Sequence, residues 1–177
     1  NAARAYFACF AHFTKGDQYG GIVFQGRNRR PPTDPANALL SFLYGMLYRD
    51  CVQAIVTVGL DPTIGIYHQP RSTAYPLALD IMELFRVAVV DVAVLGSIHR
   101  RQWSLEEDFI QASQHVWLND VGRKKAIALY ERRMQDKWKH PVIGYSLSYA
   151  RALELEVRLL EKEWSGKPGL FAMNRLR

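Results

Sequence analysis

One histidine and two carboxylates lie close together in the stretch GIYHQPRSTAYPLALDIMELFR. His68 precedes a polar loop, and Asp80 and Glu83 follow in an otherwise apolar run. Because the two carboxylates are three residues apart, a helix would place them on one face, one turn from each other. Mg²⁺ or Mn²⁺ prefers oxygen ligands, accepts a nitrogen ligand and needs few protein ligands. The three residues are therefore a candidate metal site.

A purely structural interpretation of the same residues stays open. Arg86 lies three residues after Glu83, so the two side chains can form an ion pair of the kind that is common on helices. Asp80 could cap a neighbouring element, and His68 could be a loop histidine bonded to a backbone carbonyl. The spacing alone does not decide between these two interpretations.

The elements that position these residues are predicted to be helices. Pro76 is a suitable first residue for a helix that runs to about residue 95 or 96. Nearly all of its residues are apolar, which is typical of a buried helix, where an ionisable group is costly unless it is paired or bound to a metal. This makes Asp80 and Glu83 the informative residues of the helix.

Five further helices are predicted from capping residues, prolines and apolar periodicity. They run from residue 1 to about 13, from Pro35 after the cap Asp34 to about 58, from Ser104, from Asn119 to before Pro141, and from 146 to about 164. Almost no strand-type alternation is visible. We therefore expect an all-α fold, a single multi-helix domain over residues 1–177.

Composition excludes several classes of protein. Two cysteines without metal-finger spacing do not make a disulfide framework and favour a reducing compartment. The longest apolar run, residues 87–95, contains Asp91 and is shorter than the ~20 residues of a membrane span. We expect a soluble, cytoplasmic protein. The chain begins without methionine, in what looks like the interior of a helix, so we expect a fragment.

The net charge of +6 is concentrated in two places. Arg27, Arg29 and Arg30 lie in one short loop, and residues 123–139 hold seven basic residues against two acidic ones. Such clusters are typical of a surface that faces phosphates, and equally of a solvated helix face. The sequence pattern leaves both open.

Several segments occur in a fixed order along most of the chain. They are RNRRPPTDPANALLSF at 27–42, GLDP at 59–62, Gly65-x-x-His68, LDIMELFR at 79–86, GRKK at 122–125, YERR at 130–133, His140-Pro141 and SYAR at 148–151. This series resembles the C-terminal helical domain of the CRISPR-associated adaptation integrase family, the first of the Cas proteins. The ordered series is more specific than any one of its motifs.

The resemblance implies a metal-dependent DNA endonuclease/integrase that inserts new spacer DNA into the CRISPR array by attack of a 3′-hydroxyl on a phosphodiester. It implies Mg²⁺ or Mn²⁺ held by His68 and Glu83, with Asp80 as the acid beside the site. A third ligand, a glutamate, lies in the family upstream of the segment that matches Asn1. The family's N-terminal β domain, which mediates dimerisation, is not in this sequence either. We therefore expect the fragment alone to be inactive.

The resemblance also implies the partners. These are incoming spacer DNA and the CRISPR leader–repeat, a second copy in the intact protein, a second CRISPR adaptation subunit, and a Cas exonuclease, separate or fused upstream. The residues expected to contact DNA are all basic except one asparagine on the first turn of a helix. They are Arg27, Arg29, Arg30, Asn37, Arg71, Arg123, Lys124 and Lys125.

Two other functions compete with this one. A non-enzymatic, basic helical DNA-binding domain would use the arginines and lysines on phosphates, and His68, Asp80 and Glu83 only for stability. A helical scaffold for a protein partner would use aromatic residues such as Trp103, although tryptophans are more often in the core.

Overall fold

A computed structural model describes residues 2–14, 20–28, 31–70, 74–140, 143–167, 169 and 171–172. The helices are α1 (Ala2–His12), α2 (Pro35–Val58), α3 (Pro76–Phe85), α4 (Val92–His99), α5 (Leu105–Asp108), α6 (Asp120–Gln135) and α7 (Tyr149–Trp164). A π-helical segment, Arg86–Asp91, joins α3 to α4. The strands are β1 (Phe109–Ala112), β2 (His115–Leu118), β3 (Lys137–Lys139) and β4 (Ser146–Ser148).

The expectation of an all-α fold is wrong, because two antiparallel hairpins accompany the helices. β1 pairs with β2 so that Ile110 lies opposite Trp117, and β3 pairs with β4 so that Trp138 lies opposite Leu147. Each strand has only three or four residues. So short a strand contains too few alternations to stand out against helical periodicity. The fold is α-rich with two small sheets.

The chain divides into two compact units, each made of two stretches of sequence. The first unit comprises residues 1–44 and 90–130, and the second comprises residues 45–89 and 131–177. In the first unit the rings of Phe7, Phe10 and Phe24 pack against one another, with centroids 4.9–6.3 Å apart. The second unit contains all three residues of the candidate metal site.

The predicted starts of α2, α5 and α6 are confirmed by their caps, whereas the last helix, predicted from residue 146, begins at Tyr149 after strand β4. Asp34 accepts a hydrogen bond from the backbone N–H of Asn37 at 2.8 Å, which satisfies one of the free donors at the start of α2. Ser104 accepts from Glu107 N–H, and Asn119 accepts from Gly122 N–H. These contacts set where α2, α5 and α6 begin.

α2 is a core helix by its pattern of burial. Leu39, Leu40, Leu43 and Leu47 are all completely shielded from solvent, as expected for the helix on which a domain packs. By length and composition alone α2 is also apolar enough to cross a membrane. The four buried leucines, spread over little more than two turns, account for part of that apolar composition.

Candidate active site

Asp80 holds the loop that carries His68. One carboxylate oxygen, Oδ2, accepts hydrogen bonds from the backbone N–H groups of Ile66 at 2.6 Å and Tyr67 at 3.0 Å. The other, Oδ1, accepts from the backbone N–H of His68 at 3.1 Å and lies 2.6 Å from Nδ1 of its ring. Asp80 therefore caps this loop, as the structural interpretation of the sequence expected, and also orients a ring.

Gly65 makes this close approach possible. A Cβ atom at residue 65 would lie 2.4 Å from the carbonyl oxygen of His68 and 2.6 Å from Cβ of Pro76. Both distances are far below ordinary contact, and one of them is to a backbone atom. The spacing Gly65-x-x-His68 therefore has a physical cause, since only a residue without a side chain lets the loop fold back on the start of α3.

The His68 ring presents one nitrogen for a ligand. An ionised carboxylate only accepts hydrogen bonds, so Nδ1 donates to Asp80 and the lone pair is on Nε2. A histidine that binds a metal commonly donates its other ring N–H to a carboxylate in this way. The His68 side chain is 38% exposed while the Asp80 side chain is 6% exposed, so solvent reaches the ring and not its partner.

The pKa of Asp80 reflects these contacts. Burial by itself would raise the pKa of this carboxyl. The hydrogen bonds from the ring of His68 and from three backbone N–H groups outweigh burial and hold the pKa below its usual value. Asp80 is consequently ionised at neutral pH, as its role toward Nδ1 requires.

Glu83 lies one turn beyond Asp80 on α3 and forms an ion pair with Arg86. Nη1 of Arg86 lies 2.7 Å from Oε1 of Glu83, and the Glu83 side chain is 47% exposed. The ion pair that the sequence left open is therefore present. The Arg86 side chain is only 19% exposed, so a move of Glu83 to another cation would leave a largely buried guanidinium with one partner fewer.

Among the described residues, no group of three or more His, Cys, Asp or Glu side chains is arranged to hold a metal. Of the three predicted residues, His68 and Glu83 each have an exposed side chain, and the oxygens of Asp80 accept hydrogen bonds from the loop and the ring. An imidazole nitrogen and a carboxylate oxygen fit the preferences of Mn²⁺ or Mg²⁺ as part of a larger set. Metal ligation by these residues stays a prediction.

The residues predicted to contact DNA near α2 are engaged within the protein. Asn37 is completely buried, donates to Gly26 O at 2.8 Å and accepts from Arg27 at 2.7 Å and from Asn28 N–H at 3.1 Å. Arg27 also donates to Ser41. These hydrogen bonds join the loop at residues 26–28 to the start of α2. To contact a phosphate, the side chains of Arg27 and Asn37 would first have to break them.

The basic residues at the start of α6 are exposed. Lys124 is exposed, Arg123 donates to Leu118 O at 3.2 Å, and Lys125 lies 2.8 Å from the fully buried carboxylate of Asp108. Lys124 is thus the best placed of the three for an external phosphate. Three other predicted DNA contacts lie outside the described residues: Arg29, Arg30 and Arg71.

Comparison with known proteins identifies the family. The family model described as CRISPR associated protein Cas1 matches residues 1–132. The chain belongs to the Cas1 family. A CRISPR-associated exonuclease Cas4/endonuclease Cas1 fusion from Myxococcus xanthus is 56% identical over 175 residues, which make up 99% of this chain and 31% of the fusion. The chain therefore spans less than a third of that Cas1 relative.

Two solved structures share the fold of this Cas1-family chain. A casposase bound to integration product matches with a TM-score of 0.83 and 26% identity, over 96% of this chain and 46% of the other. A chain of a Cas6-RT-Cas1–Cas2 complex matches with a TM-score of 0.82 and 26% identity, over 99% of this chain and 19% of the other.

Sequence reasoning missed two polar clusters in this Cas1-family chain. Asp91, at the end of the π-helical segment, is 2% exposed and accepts hydrogen bonds from the hydroxyls of Tyr6 and Tyr44. His140 and Glu156 are both buried, with Nε2 and Oε1 3.9 Å apart. The members of each cluster are far apart in sequence, so no local motif indicates either cluster.

Proposed function

We propose that this chain is the helical catalytic part of a CRISPR adaptation integrase/endonuclease that joins the 3′ end of spacer DNA to the CRISPR array. The observation that carries the proposal is the His68 ring. Its Nδ1 is bonded to the buried carboxylate of Asp80, which leaves Nε2 as the ring nitrogen available to a ligand, and the carboxylate of Glu83 lies one turn beyond Asp80 on α3.

The chemistry assigns a role to each of these residues. Nε2 of His68 and the Glu83 carboxylate would hold Mg²⁺ or Mn²⁺ together with a carboxylate from the rest of the protein. A divalent cation, when bound, stabilises the charge on phosphoryl oxygens during in-line displacement. Asp80 keeps Nδ1 protonated and holds the ring in place. Arg86 neutralises the charge of Glu83 as long as no metal is bound. No covalent intermediate with the protein is required.

The proposed partners follow from the family and from the relatives. A nuclease joined to the same chain is suggested by the Cas4/Cas1 fusion, and a second adaptation subunit by the Cas1–Cas2 complex. DNA as substrate is suggested by the casposase bound to integration product and by the exposed basic start of α6. We further propose a homodimer in the cytoplasm.

A strand-transfer assay tests the proposed function. Full-length protein with Mn²⁺ and a branched DNA substrate should transfer a DNA end, and His68→Ala should abolish transfer while DNA binding persists. His12→Ala is the matched control, because His12 is an exposed histidine of α1 without a proposed role. Transfer that survives in His68→Ala would refute the assignment of the site.

A second function is favoured by two observations. Glu83 is paired with Arg86, and no set of three metal ligands occurs in the part of the chain that the structure describes. Both facts suit a basic DNA-binding domain without its own chemistry. That function predicts salt-sensitive DNA binding that is indifferent to Mn²⁺ and to Glu83→Ala, with no transfer by the wild type.

A further inference from the structure

The helix that carries Asp80 and Glu83 changes its winding directly after the site. The backbone N–H of Arg86 still bonds to Met82 O, as in an α-helix. The residues Arg86–Asp91 then form a π-helix. π-helical turns are rare and often occur at functional sites. Neither proline nor glycine occurs in RVAVVD, so the winding needs another cause.

The pattern of burial supplies part of that cause. One row of buried residues along this helix recurs every four positions, at Leu77, Ile81, Phe85, Val89 and Ala93, and further residues beside the row, such as Ala78, Val90 and Val94, are buried too. An α-helix has 3.6 residues per turn, so a stripe spaced by four drifts around the helix by about 0.4 residue each turn. A π-helical turn contains more residues than an α-helical turn, so it brings this row of apolar residues back to the buried face of the helix. Asp80 and Glu83 precede this adjustment.

Arg133, which lies on α6, is hydrogen-bonded to the π-helical segment. Its guanidinium donates two hydrogen bonds to the carbonyl oxygen of Ala88, from Nε at 2.9 Å and from Nη2 at 2.7 Å. The same guanidinium lies 4.7 Å from the ring centroid of Tyr149 and pairs with Asp136 at 2.9 Å. The guanidinium thus donates twice to one carbonyl oxygen, and its plane packs on the ring of Tyr149. These contacts together fix the position of Ala88 O relative to α6.

We infer that Arg133 is a positioning residue for the active site: by holding Ala88 O it maintains the π winding that begins at Arg86, the ion-pair partner of Glu83. The inference rests on the proposed function. Arg133 is only 23% exposed and its donors are already used. Its positive charge therefore acts on the protein's own backbone, unlike the charge of Lys124.

The test compares Arg133→Gln with Arg158→Gln in the full-length protein. Both remove one arginine charge from the same unit, but Arg158 is 53% exposed and pairs only with Glu154 among the contacts described. For Arg133→Gln we expect the transfer rate at saturating DNA to fall about tenfold or more, with a weaker response to Mn²⁺, as for residues that orient metal ligands. DNA affinity and its salt dependence should stay unchanged.

A readout without catalysis accompanies the rates. Hydrogen exchange of the backbone amides at residues 86–93, and binding of Mn²⁺ followed by its electron paramagnetic resonance signal, should both change in Arg133→Gln and stay as in the wild type in Arg158→Gln. Arg133→Lys keeps the charge but loses the paired donors, so it should show an intermediate rate. If Arg133→Gln does not fold, Arg133→Lys carries the test.

The outcomes separate this inference from the proposed function. Wild-type protein that does not transfer DNA ends removes both. An active wild type with a normal rate in Arg133→Gln or Arg133→Lys overturns the inference alone. Loss of DNA affinity without loss of rate at saturation also overturns it, because Arg133 would then be a phosphate contact.

Discussion

Nδ1 of His68 lies 2.6 Å from Oδ1 of Asp80, and this contact fixes both the orientation and the tautomer of the ring. The same carboxylate binds three consecutive backbone N–H groups of the loop. The position of Nε2 therefore depends on one buried side chain. Asp80 holds both the loop and the ring, and its predicted place among the metal ligands stays a prediction.

Asp80→Asn tests this division of roles. The amide keeps a similar shape but cannot accept at both positions, so part of the loop's hydrogen bonding is lost and Nδ1 need no longer carry the proton. We expect transfer activity to fall by about 10- to 100-fold, as for other partners of metal-binding histidines. Glu83→Ala should abolish activity. If Glu83→Ala stays active and Asp80→Asn does not, the two carboxylates have the opposite roles.

Gly65→Ala should disrupt the same loop from the backbone side. The added Cβ would lie 2.4 Å from His68 O, so the loop must move. We expect a loss of about 1–3 kcal/mol in the free energy of unfolding, the usual cost of overpacking. Thermal unfolding and strand transfer measure the two consequences.

Gly45→Ala is the control for that variant. Gly45 lies inside α2, and a Cβ there meets nothing within 4 Å. Because alanine favours helix more than glycine does, Gly45→Ala should raise stability by up to about 1 kcal/mol. Equal destabilisation by both variants would contradict the role given to Gly65.

The sequence predicted most of the helices because each has a local signal. Asp34 before Pro35 and Ser104 before Glu107 are capping patterns that act within a single turn. The two hairpins were missed because their strands are shorter than the window in which alternation can be recognised. The π-helical segment was missed because no proline or glycine marks it, and because Arg133, which bonds to Ala88 O, is 45 residues away in sequence.

The sequence was enough to name the residues of the candidate site but not to predict how they contact one another. Residue types and order were enough to single out His68, Asp80 and Glu83. That Asp80 would hold the loop depends on tertiary contacts, whereas the pair of Glu83 with Arg86 is a local contact that the spacing had left open. Asn37 was predicted to contact DNA from its place on the first turn of the helix that follows the arginine loop. The structure buries Asn37 and bonds its side chain to that loop, and contact with DNA stays a prediction.

Lys124 and Lys125 are neighbours that should behave differently. Lys125 contacts the fully buried Asp108 carboxylate, so Lys125→Ala leaves a buried charge with one partner fewer and should cost about 2 kcal/mol of stability. Lys124→Ala should cost less than about 0.5 kcal/mol. Lys124→Ala should instead lower the salt dependence of DNA binding by about one unit of slope. Chemical denaturation and binding at several salt concentrations measure both, and reversed effects would contradict the assignment.

Glu156 should make the protein less stable as pH rises. Burial raises the pKa of this carboxyl above its ordinary value of 4.5, partly offset by a hydrogen bond from Ala172 N–H. The folded state therefore binds the proton more tightly than the unfolded state, and stability is lost as pH rises from the unfolded pKa through the folded pKa. Glu156→Gln should remove that loss, so the variant should exceed the wild type in stability at pH 7 and match it near pH 4.

His140 acts in the opposite direction, since burial lowers its pKa below 6.5 and stability should fall as pH drops beneath that value. The contribution of Glu156 is therefore fully present only below the ordinary pKa of the carboxyl, and that of His140 only above the ordinary pKa of the imidazole, so both contributions are reduced in the range between the two values. Unfolding by urea from pH 4 to 8 checks this for the wild type, Glu156→Gln and the control Glu154→Gln, whose residue lies on the same helix in an exposed ion pair with Arg158. A Glu156→Gln profile that runs parallel to the wild type at every pH would show that the buried carboxyl titrates as it does in water.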